Sequence, residues 1–329
     1  MLKKIKIRTK IKIKIKIKIK DMKKIISVAL ALKREISKNN IFSYSVPDEI
    51  FVDENDVGKL VKVPFTSRIL LGVIIKVFDE EQYLHLLKNK NHNLVEIEKL
   101  RDILHIFHNL PKLDQHFFDL AKFAADYYHQ PFGDALEMSL PPIYRTANFD
   151  ENKEIKIKIK IKNKYLTKNL AKNLQNQNKP KIILNDEQQI AVDKILASFD
   201  INEKAAKNFL LFGITGSGKT EIYLHLIDFV INKLQKQVLL LVPEINLTPQ
   251  LENQIFQRFF DNENNANNAN NANNKNANEN FAVLHSDLTA KQRDFYWRLA
   301  ASGKAKIILG TRLAIFTPLP NLGCIIVDE

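Results

Sequence analysis

Residues 213–220 read GITGSGKT, and no other stretch constrains the chain as tightly. The octapeptide fits the pattern G-x-x-x-x-G-K-[ST], in which glycines let the backbone curl until successive N–H groups point at one set of phosphate oxygens. Three of the nine glycines in the chain, Gly213, Gly216 and Gly218, fall within six residues here. Lys219 offers a point charge to the β- and γ-phosphates, and the Thr220 hydroxyl offers a ligand to Mg²⁺. Thr215 and Ser217 complete the candidate nucleotide-binding set. Such a loop needs a strand before it and a helix after it, because the helix N-terminus adds its dipole to the anion site. The flanks meet that need on paper: FLLF at 209–212 reads as a short buried strand, and 221–231 as an apolar helix.

A βαβα rhythm follows. The apolar run 238–242 suits a strand buried on both faces. Residues 248–260 and 289–301 read as helices, 281–284 and 306–309 as strands, and the asparagine-rich run 262–280 as a disordered surface insertion. Strands alternating with helices imply a parallel, doubly wound sheet. The chain closes on CIIVDE at 324–329. Four apolar residues and then Asp328 form a Walker B pattern, which delivers a carboxylate to the sheet's C-terminal edge, where ligands bind. Asp328 would hold the Mg²⁺ that Thr220 also ligates, and Glu329 would orient or deprotonate an attacking water. Lys219, Asp328 and Glu329 are thus the catalytic candidates, with ATP and Mg²⁺ as the implied ligands.

Charge must be read by position. The net charge is +13, but residues 1–24 carry +11 and 153–168 carry +6, so the rest of the chain is acidic by four charges. Both basic stretches lie in Ile/Lys repeats, and the overall basicity therefore says little about a nucleic-acid groove elsewhere. The alternation over 10–20 has the period of a strand but reads as a low-complexity tract rather than a polycationic arm, and Met22 looks like a natural start. Residues 151–180 read as a low-complexity linker. No run of 18 apolar residues exists, so no membrane span is expected. The apolar 25–32 after Lys23 and Lys24 resembles a signal peptide but is better used as a strand. Cys324 is the only cysteine, which excludes a disulfide framework and fits a reducing cytoplasm.

The first third of the chain reads as β-rich. Strands are expected at 25–32, 41–46, 59–65 and 70–77, forming a small barrel or sandwich, with Pro64 marking an edge position. Between 94 and 130 the apolar spacing turns helical, and Pro111 separates two expected helices. His105, His108 and His116 could ligate a metal, but a structural role is commoner for such a set. Tyr127 and Tyr128 could stack on a base, but core packing is the commoner fate.

Several motifs together resemble one family. These are LLFGITGSGKTEIYL at 210–224, LVPEINLTPQ at 241–250, LHS at 284–286, GTR at 310–312 and FTPLPNLG at 316–323. Upstream, FSYSVP at 42–47, VPF at 63–65 and ADYYHQPFG at 125–133 belong with them. The chain resembles the N-terminal part of the primosomal protein N′ family of superfamily 2 replication-restart DNA helicases, from residue 25 to 329 apart from the repeats. The resemblance implies a multidomain chain: a β-rich 3′-end DNA-binding domain over 22–105, a helical, winged-helix-like segment over 106–150, and a RecA-like P-loop helicase lobe over 181–329. It implies that Phe42 lines a pocket for a DNA 3′ end, with Ser43 where the family often has Asp and Thr66 where it often has Gly. It implies that Gln188 contacts adenine, that Thr248, Thr311 and Arg312 grip the DNA backbone, and that the partners are forked or single-stranded DNA, primosome proteins and single-strand-binding proteins. The family continues past the Asp-Glu pair into a zinc module and a second motor lobe. The expectation is therefore that this polypeptide alone binds nucleotide weakly and DNA ends, without efficient hydrolysis or unwinding. Two other readings fit the same loop: a non-helicase P-loop NTPase such as a small-molecule kinase, and a DNA-end-binding protein without unwinding activity.

Overall fold

The computed structural model describes residues 23–36, 38–89, 94–145, 149, 183–199, 206–214, 216–243, 248–259 and 280–328. The Ile/Lys tract, Met22, the linker, Thr215, Glu329 and the asparagine-rich insertion up to 279 lie outside these residues. The chain divides into two compact units, both discontinuous in sequence. The first comprises 1–154, 287–302 and 313–320; the second comprises 155–286, 303–312 and 321–329.

The first unit is built on an antiparallel sheet ordered β2-β1-β4-β3-β5. Its strands are β1 (Lys24–Leu30), β2 (Ile41–Ser45), β3 (Leu60–Phe65), β4 (Arg68–Asp79) and the two-residue β5 (His105–Ile106). β1 is central and apolar almost throughout because both of its faces are covered. Ile26, Val28 and Leu30 point to one core with Tyr44, Val61, Val63 and Ile74, while Ile25 and Ala29 enter separate clusters on the other face. The sheet curls, and the segment from Arg101 to Phe107 closes it. Ser45 donates to the Arg101 carbonyl (3.0 Å) and Ile103 to the Ser45 carbonyl (3.0 Å) on the β2 side. Leu104 and Phe107 donate to Lys62 (2.8 Å) and Leu60 (3.0 Å) on the β3 side. The expected small barrel is realised in this closure. Pro64 pairs with Ile69 of β4, whereas β5 reaches only Val61 and Lys62, so the proline does stand on a locally bare edge.

Three helices clothe the barrel: α1 (Glu80–Lys88), α2 (Gln115–Tyr128) and α3 (Phe132–Ser139). The Asp114 side chain caps α2 by accepting from the Phe117 N–H at 2.9 Å. α3 lies so close to β1 that a Cβ on Gly133 would sit 2.1 Å from the Leu30 carbonyl oxygen. Only glycine permits that approach. A fourth helix belongs to this unit although it comes late in the chain. This is the helix over Ala290–Ala301, with Thr289 and Gln292 forming its capping box. Its Trp297 packs edge-on against Tyr144 (5.7 Å), whose hydroxyl donates to the buried Asp294 carboxylate. Arg298 Nε donates to both oxygens of Asp294, at 3.0 and 3.1 Å.

The second unit holds a parallel sheet ordered β7-β8-β6-β9. Its strands are β6 (Gln237–Leu241), β7 (Phe281–Leu284), β8 (Ile307–Gly310) and β9 (Leu322–Val327). The helices in chain order are α4 (Asp186–Leu196), α5 (Lys219–Asn232) and α6 (Thr248–Phe259), followed by the helix of the first unit, now α7 (Ala290–Ala301). The core of this unit joins Tyr223, Ile227 and Val230 of α5 to Val238, Leu240, Ile307, Leu309 and Ile326 of the sheet. α4 packs on α5 through Val192, Ile222 and Leu226.

Three expectations need correction. Residues 209–212 form no strand and are not buried: Leu210 and Phe212 are 93% and 92% exposed, and only Leu211 touches the core clusters. A strand exists by its neighbours' hydrogen bonds, and among the described residues the sheet ends at β9. The helix expected before Pro111 is absent. Ile103, Ile106 and Phe107 are instead buried from an extended closing segment, so their helix-like spacing reflects barrel closure. α1, α3 and α4 were not anticipated. Tyr127 and Tyr128 are not core residues, being 67% exposed.

Candidate nucleotide and DNA sites

The register of the parallel sheet assembles the first site. Leu284, Gly310, Leu241 and Val327 stand side by side as the last residues of four adjacent strands. The next residues continue the row through backbone bonds: Thr311 donates to Leu284 (3.1 Å), Val242 to Gly310 (2.9 Å) and Asp328 to Leu241 (2.9 Å). The sheet therefore delivers Thr311 and Asp328 to one C-terminal edge, the edge at which such sheets bind ligands. Arg312 follows Thr311, exposed, and Thr248 is the first residue of α6.

The phosphate loop leads directly into α5. Gly216 and Gly218 take φ of +84° and +82°, conformations that any larger residue would adopt only with strain. A Cβ on Gly213 would fall 2.7 Å from the Ser217 hydroxyl, and one on Gly218 would fall 2.3 Å from the Gln188 amide. Lys219 opens α5 and curls back into the loop, where its ammonium donates to the carbonyls of Gly213 (2.6 Å) and Ile214 (3.1 Å). A cation is thus already held in the concavity of the loop.

Gln188 reaches the same loop from α4. Its amide nitrogen donates to the Ser217 carbonyl at 3.0 Å, and its amide oxygen accepts from the Asn185 N–H at 3.0 Å. An amide has two protons and two lone pairs, so one of each is left over.

Asp328 meets α5 through a residue that the sequence reading did not single out. The Tyr223 hydroxyl donates to Asp328 Oδ1 at 3.2 Å. Tyr223 lies three residues beyond Thr220 and four beyond Lys219, and helix residues at those spacings share a face. The carboxylate at the end of β9 is therefore held to the side of α5 that starts with Lys219 and Thr220. Burial, and then the Asp328 anion, push the Tyr223 phenol up to about 12, so it remains a donor at neutral pH. One helical spacing from the motif could have found this tyrosine. Beside it, Glu221 of α5 forms an ion pair with Arg258 of α6, and His225 Nε2 lies 3.4 Å from the same carboxylate oxygen. This pair ties the phosphate-loop helix to the helix that begins with Thr248.

A Mg²⁺–phosphate group fits these residues: a Cβ on Gly213 or Gly218 would meet Ser217 or Gln188, Gly216 and Gly218 take left-handed φ, the loop holds the Lys219 cation, and Thr220 shares the face of α5 that meets the Asp328 carboxylate. The group itself is carried by no atom of the protein. Among the described residues there is no cluster of three or more His, Cys, Asp and Glu side chains able to hold a metal by themselves.

The second site lies on the barrel. Phe42 of β2 packs edge-to-face with Phe65 of β3 at 5.0 Å. Arg101, where the closing segment begins, donates from Nη1 to the Thr66 carbonyl at 2.8 Å. Thr66 itself takes a left-handed φ of +50°, which fits a position where glycine is the easier residue. Ser43 points to the opposite face of the strand from Phe42, where its side chain bonds the Tyr83 hydroxyl. The structure thus brings Phe42, Phe65, Thr66 and Arg101 together and leaves Ser43 on the other face. Arg101 was also missed, because its pairing with Thr66 spans 35 residues.

Two family models match the chain. Residues 27–141 match the model of the PriA 3′DNA-binding domain, and residues 181–329 match the model of the type III restriction enzyme res subunit. The chain is similar to the replication restart protein PriA of Haemophilus influenzae, at 29% identity over 93% of the chain and 44% of that protein. It is similar to PriA of Helicobacter pylori at 29% identity over 84% of the chain and 34% of the relative. PriA of Bacillus subtilis is 40% identical over 44% of the chain and 16% of the relative. The chain spans less than half the length of these curated relatives. No helix among the described residues is long and apolar enough to cross a membrane.

Proposed function

We propose that the chain, which matches the models of the PriA 3′DNA-binding domain and of the res subunit and is similar to PriA proteins, is the DNA-end-binding and nucleotide-binding portion of an ATP-dependent 3′→5′ DNA helicase of replication restart. In this reading residues 22–105 hold the 3′ end of a strand at a stalled fork, 106–150 form a helical, winged-helix-like segment, and 181–329 form the first motor lobe. Primosome proteins and single-strand-binding proteins are its partners, and the cytoplasm is its compartment. The observation that carries the nucleotide part is the Tyr223–Asp328 hydrogen bond, which brings the Walker B carboxylate to the Thr220 face of the phosphate-loop helix.

The residues would act as follows. The loop N–H groups and the α5 dipole receive the phosphates, and Lys219 exchanges its two carbonyl contacts for charge-assisted bonds to phosphate oxygens. Gln188 turns its remaining proton and lone pair to an adenine edge, which presents one acceptor and one donor. Thr220 and Asp328 would hold Mg²⁺, which when bound neutralises charge on the β- and γ-phosphates. Glu329 orients the attacking water. Thr248, Thr311 and Arg312 contact the DNA backbone, positioning a strand without reading its sequence. On the barrel, Phe42 stacks on the terminal base beside the Arg101 charge.

The test separates the two sites in the full chain. Lys219→Ala abolishes binding of a fluorescent ATP analogue and leaves binding of a 3′-ended oligonucleotide unchanged. Phe42→Ala does the reverse, weakening oligonucleotide binding by about 1–3 kcal/mol, the range for loss of one aromatic stacking partner. A wild-type chain that binds neither nucleotide nor 3′ ends would refute the assignment.

A further inference from the structure

We propose that Tyr223 is a positioning residue for the metal-binding carboxylate: its hydroxyl sets the direction in which Asp328 faces the phosphate loop. The proposal rests on the reading of Lys219, Thr220 and Asp328 as a nucleotide–metal site and adds to it a residue that neither the motif nor the family match identifies. Asp328 is the first residue beyond β9, where the sheet no longer fixes a side chain, and its backbone N–H donates to Leu241 at 2.9 Å. A carboxylate at a strand end can rotate, and rotation moves both of its oxygens. The Tyr223 phenol limits that rotation by donating to Oδ1 at 3.2 Å.

The phenol is itself rigidly placed. Its ring is buried in the core between α5 and the sheet, with Ile227, Leu240 and Ile326. Its backbone lies one helical turn beyond Thr220, so the hydroxyl and the Thr220 side chain project from one face of one rigid element. With Oδ1 oriented from this side, the direction of Oδ2 follows from the planarity of the group. Tyr223 thus converts a mobile strand-end carboxylate into one with a preset orientation, the role of outer-shell partners around metal ligands generally.

The experiment is a Mg²⁺ titration of fluorescent ATP-analogue binding to the full chain, run beside a titration in EDTA. Tyr223→Phe keeps the ring and its packing and deletes only the donor. The expected result is a rise of about 10-fold in the Mg²⁺ concentration at half-saturation, the lower range for loss of such a partner, with metal-free nucleotide affinity unchanged. In an Asp328→Asn background the same substitution should produce no further change. Equal Mg²⁺ dependence in wild type and Tyr223→Phe overturns the proposal while leaving the nucleotide site intact. Equal losses with and without metal would assign the hydroxyl a structural role and overturn it too. A wild-type chain that binds no nucleotide overturns both this proposal and the reading beneath it.

Discussion

At the scale of single residues, charge and burial compete openly at Asp56. This carboxylate in the first unit is buried, which alone would raise its pKa. The Lys59 ammonium at 2.7 Å, the Asp53 N–H at 2.9 Å and His108 at 3.7 Å outweigh burial and hold it below the ordinary carboxylate value. A depressed folded-state pKa contributes stability above the unfolded value and loses it as pH falls through the folded value. Asp56→Asn is therefore expected to lower the urea midpoint at pH 7, and the deficit should shrink once pH drops below about 4. A deficit that stays constant from pH 7 to pH 3 would show that the ion pair contributes no stability. The residue scale is also where the sequence was most and least legible. Lys219, Thr220 and Gly218 could be placed because their roles lie within eight consecutive positions. Arg101 could not, because periodicity carries no record of a partner 35 residues away, whereas Tyr223 lay one helical spacing beyond the motif and only its partner Asp328, 105 residues on, was out of reach.

At the scale of elements, nearly every strand of the two sheets could be read from runs of β-branched and aliphatic residues, and α2, α5, α6 and α7 from helical spacing. The failures share one cause. Apolar spacing reports that a segment is buried but does not name the neighbour that buries it. Residues 100–107 bury Ile103, Ile106 and Phe107 as a barrel closure, and the same spacing would have served a helix. FLLF at 209–212 has strand composition but no ladder partner among the described residues. α7 shows the converse: its helix was foreseen, but not its membership of the first unit. Asp294, 1% exposed, gathers the Tyr144 hydroxyl and both contacts from Arg298 into one buried network. Removing the Asp294 carboxylate leaves the buried Tyr144 hydroxyl without its acceptor and the partly exposed Arg298 without its counter-charge. Asp294→Ala should cost about 1–3 kcal/mol in urea unfolding. A loss below about 1 kcal/mol, the worth of an exposed ion pair, would mean that α7 is not anchored by this network.

At the scale of the whole molecule, the chain carries a barrel-based unit and a parallel-sheet unit, and the second family match, over 181–329, also spans the segments 287–302 and 313–320 that belong to the first unit. The net charge, which suggests a nucleic-acid binder, resides in Ile/Lys repeats outside the described residues, whereas the DNA assignment rests on Phe42, Arg101, Thr311 and Arg312. The proposed nucleotide site depends on α5 and β9 presenting Lys219, Thr220 and Asp328 to one metal–nucleotide complex. Electron paramagnetic resonance of Mn²⁺, substituted for Mg²⁺, tests this directly when the full chain is titrated with ADP. The account predicts a protein-bound Mn²⁺–ADP signal with phosphorus coupling that is lost in Lys219→Ala and weakened about 10-fold or more in Asp328→Asn. An unchanged signal in Asp328→Asn would contradict it, because the carboxylate at the end of β9 would then take no part in the site.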